Sequence, residues 1–324
     1  MKTGIVLEGG AMRGMFTAGL LDVFMESGIS FDGAVGVSAG ATFGCNLKSH
    51  QIGRTLRYNE KYCRDKRYAS IESLIRTGDI FNAKFDYHDI PFVLDPFDIE
   101  TFQKDPMEFW LAATDVDTGD PVYRKCIYGD KRDIEWLRAT ASLPALSNVV
   151  YCSGSCLRGK SPEKAAGTFA EKYKETEAVN LGLSDGGTSD SVPIRFFEDL
   201  GYERIVVVCT QPKGYRKHKN RMLPALRIYL KDYPELLETI ASRHEMYNAT
   251  MDYLDKCQAE KTDRILVIRP RQALKIRQVV HDPAEIRRVY DYGRAEGLRR
   301  REEVKRFLAG KDGGIIDRTE DGTL

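Results

Sequence analysis

In under fifty residues the chain twice runs from a short apolar stretch through a glycine-bearing turn into a helical pattern. Gly4 to Leu7 ends in Glu8-Gly9-Gly10. Phe16, Leu20, Val23 and Phe24 then recur at helical spacing up to Gly28, a natural stop. Phe31 to Val37 repeats the strand, and Ala39 to Leu47 repeats the helix with small residues that allow close packing. Strands that alternate with helices in this way build a sheet whose neighbours run parallel, because the crossover helix returns the chain to its starting edge. The expectation is an α/β fold with a mainly parallel central sheet flanked by helices.

Further along, Ile205 to Cys209 and Ile265 to Ile268 read as buried strands. Phe109 to Thr114 and Pro121 to Cys126 read as two strands joined by a turn at Asp117-Thr118-Gly119-Asp120. Residues 79 to 102 carry Phe81, Phe85, Tyr87, Phe92, Phe97 and Phe102, interrupted by Pro91 and Pro96, and are expected to be a loop-rich aromatic segment. The polar stretch 153 to 178 is expected to be an insertion. Pro234 to Cys257 is a long helical pattern. Pro283 to Leu308 is a basic helix with Ile286, Val289, Tyr290, Val304 and Phe307 on its apolar side. These readings divide the chain into a core over 4–212, a helical and strand addition over 213–310 packed on it, and a polar tail over 311–324.

Composition narrows the function classes. Among 324 residues, 42% are hydrophobic and 30% charged, as in an ordinary globular chain rather than a disordered or fibrous one. Forty-nine Lys and Arg against 48 Asp and Glu leave a net charge of +1, so no global field favours nucleic acid. The 7 cysteines are odd in number and scattered without a Cys-x-x-Cys, the usage of reduced thiols rather than of a disulfide frame or a zinc site. The start reaches Glu8 and two glycines before an apolar core of secretory length could form. A cytoplasmic protein is expected, with peripheral contact at a membrane surface. No metal or cofactor is called for, and the oligomeric state is open.

The sharpest chemical feature is Gly36-Val37-Ser38-Ala39-Gly40, a G-x-S-x-G between a strand and a helix. There a serine on a tight turn is presented as a nucleophile, with small residues two positions either side so that the backbones can pass. The competing reading is a tight turn where small residues merely permit packing. The second feature is Glu8-Gly9-Gly10-Ala11-Met12-Arg13-Gly14. A P-loop would need Lys-Ser or Lys-Thr after the last glycine, where Met15-Phe16 stand. A dinucleotide fingerprint would need glycine in place of Ala11 and an acid about twenty residues on, a place Asp32 could fill. The third reading is an oxyanion hole of backbone N–H groups at a helix N-terminus. For a base, the candidates are His50, His88, His218, His244 and His281, none with a local signature, and the aspartate of Leu183-Ser184-Asp185-Gly186-Gly187, which taken alone is equally a simple turn.

Together these residues resemble the patatin-like phospholipase family. Its glycine-rich oxyanion loop corresponds to Gly9 to Gly14 with Arg13, its G-x-S-x-G nucleophile to Ser38, and its Asp-Gly-Gly or Asp-Gly-Ala to Asp185, Gly186 and Gly187. The motifs fall in the family's order, and Ala139-Thr140-Ala141-Ser142-Leu143-Pro144 is similar to its alanine-serine-proline block. The resemblance covers about residues 4 to 212 and is strongest to bacterial patatin-like esterases with alanine in the oxyanion loop. It implies a three-layer α/β/α fold and a Ser38–Asp185 dyad without histidine. It also implies oxyanion contacts from Gly9, Gly10 and Ala11, and a fatty-acyl ester, phospholipid or lysophospholipid as substrate. Two departures stand out. Ala11 occupies a usual glycine position, where a left-handed backbone would cost roughly 1 kcal/mol or more, and the stretch 153–178 is longer than usual. Aspartate is a poor base at its ordinary pKa near 4, so an apolar pocket that raises it is expected.

The aromatic stretch 79–102 could line an acyl groove, although such stretches more often form satellite core, and the basic helix could attract anionic headgroups, although a solvated charged face is the preferred reading. Three rival functions remain open at this level. One is a Ser-His-Asp esterase using His218, His244 or His281. The second is a dinucleotide-binding module, and the third a lipid-binding regulatory protein of the same fold with little turnover.

Overall fold

The structure, a computed structural model, describes residues 1–160, 167–260 and 262–310. The tail expected over 311–324 lies outside the described residues. The chain opens with β1 (Thr3–Leu7), α1 (Gly14–Glu26), β2 (Gly33–Val37) and α2 (Ala39–Lys48), the two strand–turn–helix units anticipated above. Three helices follow, α3 (Arg54–Tyr62), α4 (Ile71–Thr77) and α5 (Ile99–Lys104), and then the strand pair β3 (Glu108–Asp115) and β4 (Pro121–Cys126). Next come α6 (Lys131–Thr140), β5 (Val150–Arg158), the single turn α7 (Phe169–Lys172) and β6 (Lys174–Asp185). The chain continues through α8 (Ile194–Asp199), β7 (Arg204–Val208), α9 (Leu223–Tyr229), α10 (Pro234–Ala259), β8 (Ile265–Ile268) and α11 (Pro283–Ala309).

The eight strands of the described residues form one sheet in the order β4-β5-β6-β3-β2-β1-β7-β8, with β3 also pairing β4. The run β3-β2-β1-β7-β8 is parallel throughout, and β4, β5 and β6 join it antiparallel. Alternation along the central strands assigns side chains to two cores. Ile5, Leu7, Val206 and Val208 face the layer containing α1, α2 and α11, whereas Val6, Ile205 and Val207 face Phe196, Phe197, Tyr247 and Leu254. The result is a mainly parallel sheet with helices on both faces.

Two expectations are corrected. The aromatic segment is helical over most of its length: Phe85–Leu94 winds as a wide helix with Pro91 inside it, and Asp95 N–H donates to the Ile90 carbonyl five residues back, at 2.9 Å. Proline cannot supply an N–H and crowds the preceding turn of an ordinary α-helix, and a wider turn accommodates it. Apart from residues 161–166, which lie outside the described residues, most of the stretch 153–178 expected as a polar insertion is paired strand. β5 and β6 pair from Val150↔Leu183 to Arg158↔Lys174, forming a ribbon that continues the sheet. Its outer face is solvated, with Tyr151 and Val179 exposed while Cys152 and Cys156 are buried, and that polar face hid the period of two.

The C-terminal elements are built into the same body. β8 extends the sheet beyond β7, and α11 lies across α1. The two helices approach so closely that a Cβ at Gly293 would come within 2.0 Å of the Phe16 carbonyl oxygen, and one at Gly19 within 2.1 Å of that of Tyr290. The basic residues of α11 are largely paired: Arg287 with Glu60, Arg294 with Glu26, Arg299 with Glu296 and Arg300 with Glu303. No helix among the described residues is long and apolar enough to cross a membrane.

The glycine contact yields a stability prediction. Gly293→Val forces α11 off α1 and is expected to cost about 1–3 kcal/mol in urea unfolding. Gly201→Ala, where φ is +82° and nothing lies within 4 Å, is expected to cost only about 1 kcal/mol for the left-handed backbone.

Candidate active site

Ser38 stands at the C-terminal end of β2, between strand and helix, with φ 52° and ψ −125°. This is a strained backbone for a residue with a side chain, and it turns the hydroxyl out of the sheet. The two motif glycines permit it. A Cβ at Gly36 would lie 2.5 Å from Ala41 backbone atoms, and one at Gly40 2.3 Å from the Leu7 carbonyl oxygen. The Ser38 N–H donates to Thr140 Oγ1 at 2.9 Å, and that hydroxyl donates onward to the Ala112 carbonyl.

The glycine loop leaves the C-terminal end of the adjacent strand β1. Gly9 and Gly10 lie outside helix and strand, and their N–H groups make no hydrogen bond among the described residues. Ala11 follows with φ 47°, so the left-handed backbone considered above is adopted despite the methyl group. The turn closes with Arg13 N–H on the Gly10 carbonyl at 3.1 Å, and Gly14 begins α1 against Ala39 and Phe43. Asp32, the acid a dinucleotide site would require, lies at the opposite end of the sheet. It precedes β2, and its carboxylate accepts from the Thr3 N–H and hydroxyl at 2.7 and 2.8 Å.

Asp185 ends β6, paired with Ala113 of β3. Its Oδ1 accepts from Gly187 N–H at 2.8 Å, while Oδ2 is buried with no hydrogen-bond partner among the described residues. A side chain at Gly186 would strike the Ala112 carbonyl at 1.9 Å, so the turn after the aspartate tolerates no Cβ. Burial raises the Asp185 pKa. Arg243 opposes the rise most strongly, followed by the Ser38 hydroxyl, the Gly187 N–H and Lys217. Ser38 and Asp185 line the same cavity, with no hydrogen bond formed between their side chains.

The block Ala139 to Pro144 holds these parts in register. Thr140 takes the Ser38 N–H, while the Ser142 carbonyl accepts from Asp185 N–H at 2.8 Å and Ser184 Oγ at 3.0 Å. One turn at the end of α6 therefore clamps the elbow and the aspartate strand together.

Two cavities meet at Ser38, sharing also Ala11 and Leu143. One encloses about 890 Å³, partly open, between Met12, Phe43, Tyr58, Phe81, Tyr87, Ile90, Phe97, Ile134 and Leu137, so part of the aromatic segment lines it. Phe85 and Phe102 belong instead to the core. The other cavity, of about 530 Å³, is polar and is lined by Glu8, Gly9, Gly10, Arg13, Asp185, Gly187, Lys217 and Arg243.

Lys217 and Arg243 escaped the sequence reading. They come from the segment before α9 and from within α10, far from any motif, and no local pattern marks them. None of the five histidines lines either cavity. His50 pairs with Asp105 and His88 with Glu135; His281 bonds the Cys63 carbonyl, His244 lies beside Glu245 and His218 is exposed. Among the described residues no group of three or more His, Cys, Asp or Glu could hold a metal ion.

A family model described as patatin-like phospholipase matches residues 5–197. The chain belongs to the patatin-like phospholipase family. Residues 233–309 match a second family, a domain of unknown function (DUF6363). A curated relative, the uncharacterized protein YjjU of Escherichia coli (strain K12), is 26% identical over 227 residues, 65% of this chain and 52% of that protein. The chain thus spans about half the length of this relative. Among solved structures, VipD from Legionella pneumophila aligns over 93% of this chain and 67% of its own, at 10% identity and a TM-score of 0.41.

The clamp provides a test of its own. Thr140→Val removes the acceptor of a buried N–H and is expected to cost about 1–3 kcal/mol in chemical unfolding, with Thr140→Ser restoring most of it.

Proposed function

We propose that this patatin-like protein is a serine acyl-ester hydrolase acting on fatty-acyl esters of the phospholipid or lysophospholipid class through an acyl-enzyme. The observation that carries the reading is the convergence on one cavity of the Ser38 hydroxyl, the buried Asp185 carboxyl and the unengaged N–H groups of the glycine loop. The acyl chain would occupy the apolar cavity and the alcohol portion the polar one.

In this reading Ser38 Oγ attacks the ester carbonyl while Asp185 accepts its proton. The N–H groups of Gly9, Gly10 and Ala11 receive the oxyanion, and Arg13 lends positive charge and fixes the loop. The protonated Asp185 then donates to the departing alcohol oxygen. In the second half, water attacks the acyl-enzyme with Asp185 again as base, and Ser38 is regenerated. A carboxyl whose pKa burial has raised is a better base at neutral pH than an exposed aspartate, and the strained elbow keeps the hydroxyl in place without a histidine to orient it. The absence of every histidine from both cavities weighs against the Ser-His-Asp alternative.

Hydrolysis of a p-nitrophenyl acyl series and of a lysophospholipid tests the assignment. Ser38→Ala and Asp185→Asn are each expected to lower kcat by about a thousandfold or more. A variant lacking His218, His244 and His281 is expected to retain turnover; its loss would establish a triad instead. Folded wild-type protein without any turnover would favour a lipid-binding regulatory role.

The pH profile provides a second check. As pH climbs through the raised Asp185 pKa the base is released, so kcat/KM should rise along a limb lying above the ordinary carboxylate range. Arg243 holds that pKa down, so Arg243→Gln should move the limb to higher pH; an unmoved limb would show that another group is the base.

A further inference from the structure

The polar cavity carries more positive charge than the proposed chemistry uses. Arg13, Lys217 and Arg243 all line it, and two acids face them, Glu8 and Asp185. Glu8 is fully engaged elsewhere: one oxygen accepts from Thr210 N–H at 2.5 Å and the other from the Tyr247 hydroxyl at 2.8 Å. Asp185 is the proposed base. Among the described residues neither Lys217 nor Arg243 has a carboxylate within ion-pair distance, although both are half-buried. The Lys217 ammonium lies 4.1 Å above the Tyr247 ring, and the Arg243 Nε is buried with no hydrogen-bond partner. Burial together with the like charges of Arg243 and Arg13 pushes the Lys217 pKa down to about 7. Arg13 makes only a long contact, 3.5 Å, to Thr210 Oγ1.

Three clustered cations with no carboxylate of their own among the described residues, around free space of about 530 Å³, suit an anion that enters it. That space adjoins the apolar cavity only at Ser38, Ala11 and Leu143, so an ester whose carbon chain fills one side must place its alcohol in the other. The guanidinium of Arg243 offers a planar fork for two oxygens of a phosphate, and the Lys217 ammonium a mobile point charge beside it. A zwitterionic headgroup would bring a quaternary ammonium against these cations, with both acids of the cavity already committed. A phosphate monoester, carrying nearly two negative charges, suits the cluster better.

We propose that Lys217 and Arg243 form a leaving-group subsite selecting esters of a phosphorylated polyol, of the acyl-glycerol phosphate type, over neutral and zwitterionic esters. This deepens the hydrolase reading and rests on it for the position of the substrate. Both residues lie beyond the patatin-like match at 5–197, and Arg243 lies within the second match at 233–309. The C-terminal elements thereby supply substrate selection to a site whose chemistry belongs to the N-terminal motifs.

Calorimetry on full-length Ser38→Ala tests binding apart from turnover, with glycerol 3-phosphate, inorganic phosphate, glycerol and glycerophosphocholine as probes. Glycerol 3-phosphate is expected to bind, glycerol to be silent, and glycerophosphocholine to bind at least about tenfold more weakly. Adding Lys217→Gln or Arg243→Gln should weaken glycerol 3-phosphate by about tenfold or more without lowering the melting temperature, and Lys217→Arg should restore it. Wild-type kcat/KM should favour an acyl-glycerol phosphate over the monoacylglycerol of equal chain length, and Lys217→Gln should shrink that preference. No binding of glycerol 3-phosphate to a folded protein overturns the subsite. Inorganic phosphate binding equally well overturns the leaving-group assignment in favour of a free-phosphate site. Binding without turnover on any ester leaves the subsite standing and sinks the hydrolase reading instead.

Discussion

The elbow and the glycine loop touch backbone to backbone, and the rest of the site depends on that contact. Gly40 at the start of α2 sits so close to the end of β1 that a methyl group would overlap the Leu7 carbonyl. Gly9 faces the Val37 carbonyl with only 2.9 Å to spare for a Cβ. Two parallel strands in register, Leu7 opposite Gly36, bring their C-terminal ends to this meeting point. A parallel pair carries successive turns to the same edge of the sheet, which is why a hydroxyl from one turn and free N–H groups from the next can serve one carbonyl. The left-handed backbones of Ala11 and Ser38 store strain there, offset by the helices α1 and α2 that leave the two turns.

Around that contact two acids are buried and two cations half-buried. Asp185, Glu8, Arg243 and Lys217 occupy a single polar cavity, while a larger apolar one opens on the other side of Ser38. Burial raises the pKa of Asp185 and lowers those of Lys217 and Arg243. Such opposed shifts within one cleft are characteristic of sites that move protons or grip charged ligands.

Much of this was legible in the linear chain where a local rule applied. β1, α1, β2 and α2 followed from hydrophobic period and glycine punctuation, and the long helices α10 and α11 from sustained helical spacing. Ser38 and Asp185 stood out through short motifs at strand ends. Elsewhere local rules failed for identifiable reasons. Pro91 suggested a loop because proline breaks an ordinary helix, but a wide turn admits it. The ribbon of β5 and β6 was masked by its solvated outer face, and the short helices α3, α4, α8 and α9 span too few turns to show a period. The clamp from Thr140 and Ser142 carries no signature beyond a family likeness, because its role lies in hydrogen bonds to residues about forty and a hundred positions away.

The sequence by itself determined the α/β class, the parallel centre of the sheet, the two turns and the residues eligible for nucleophile and base. These depend on spacing along the chain, where backbone preferences and side-chain period act. Only the tertiary structure decided what surrounds them: that Asp185 is buried with one oxygen unpaired, that no histidine reaches Ser38, and that Lys217 and Arg243 converge on the cavity from beyond the sheet's first seven strands. Burial and electrostatic fields are properties of three-dimensional neighbours. Residues two hundred positions apart become neighbours only once α10 folds back over the C-terminal edge of the sheet.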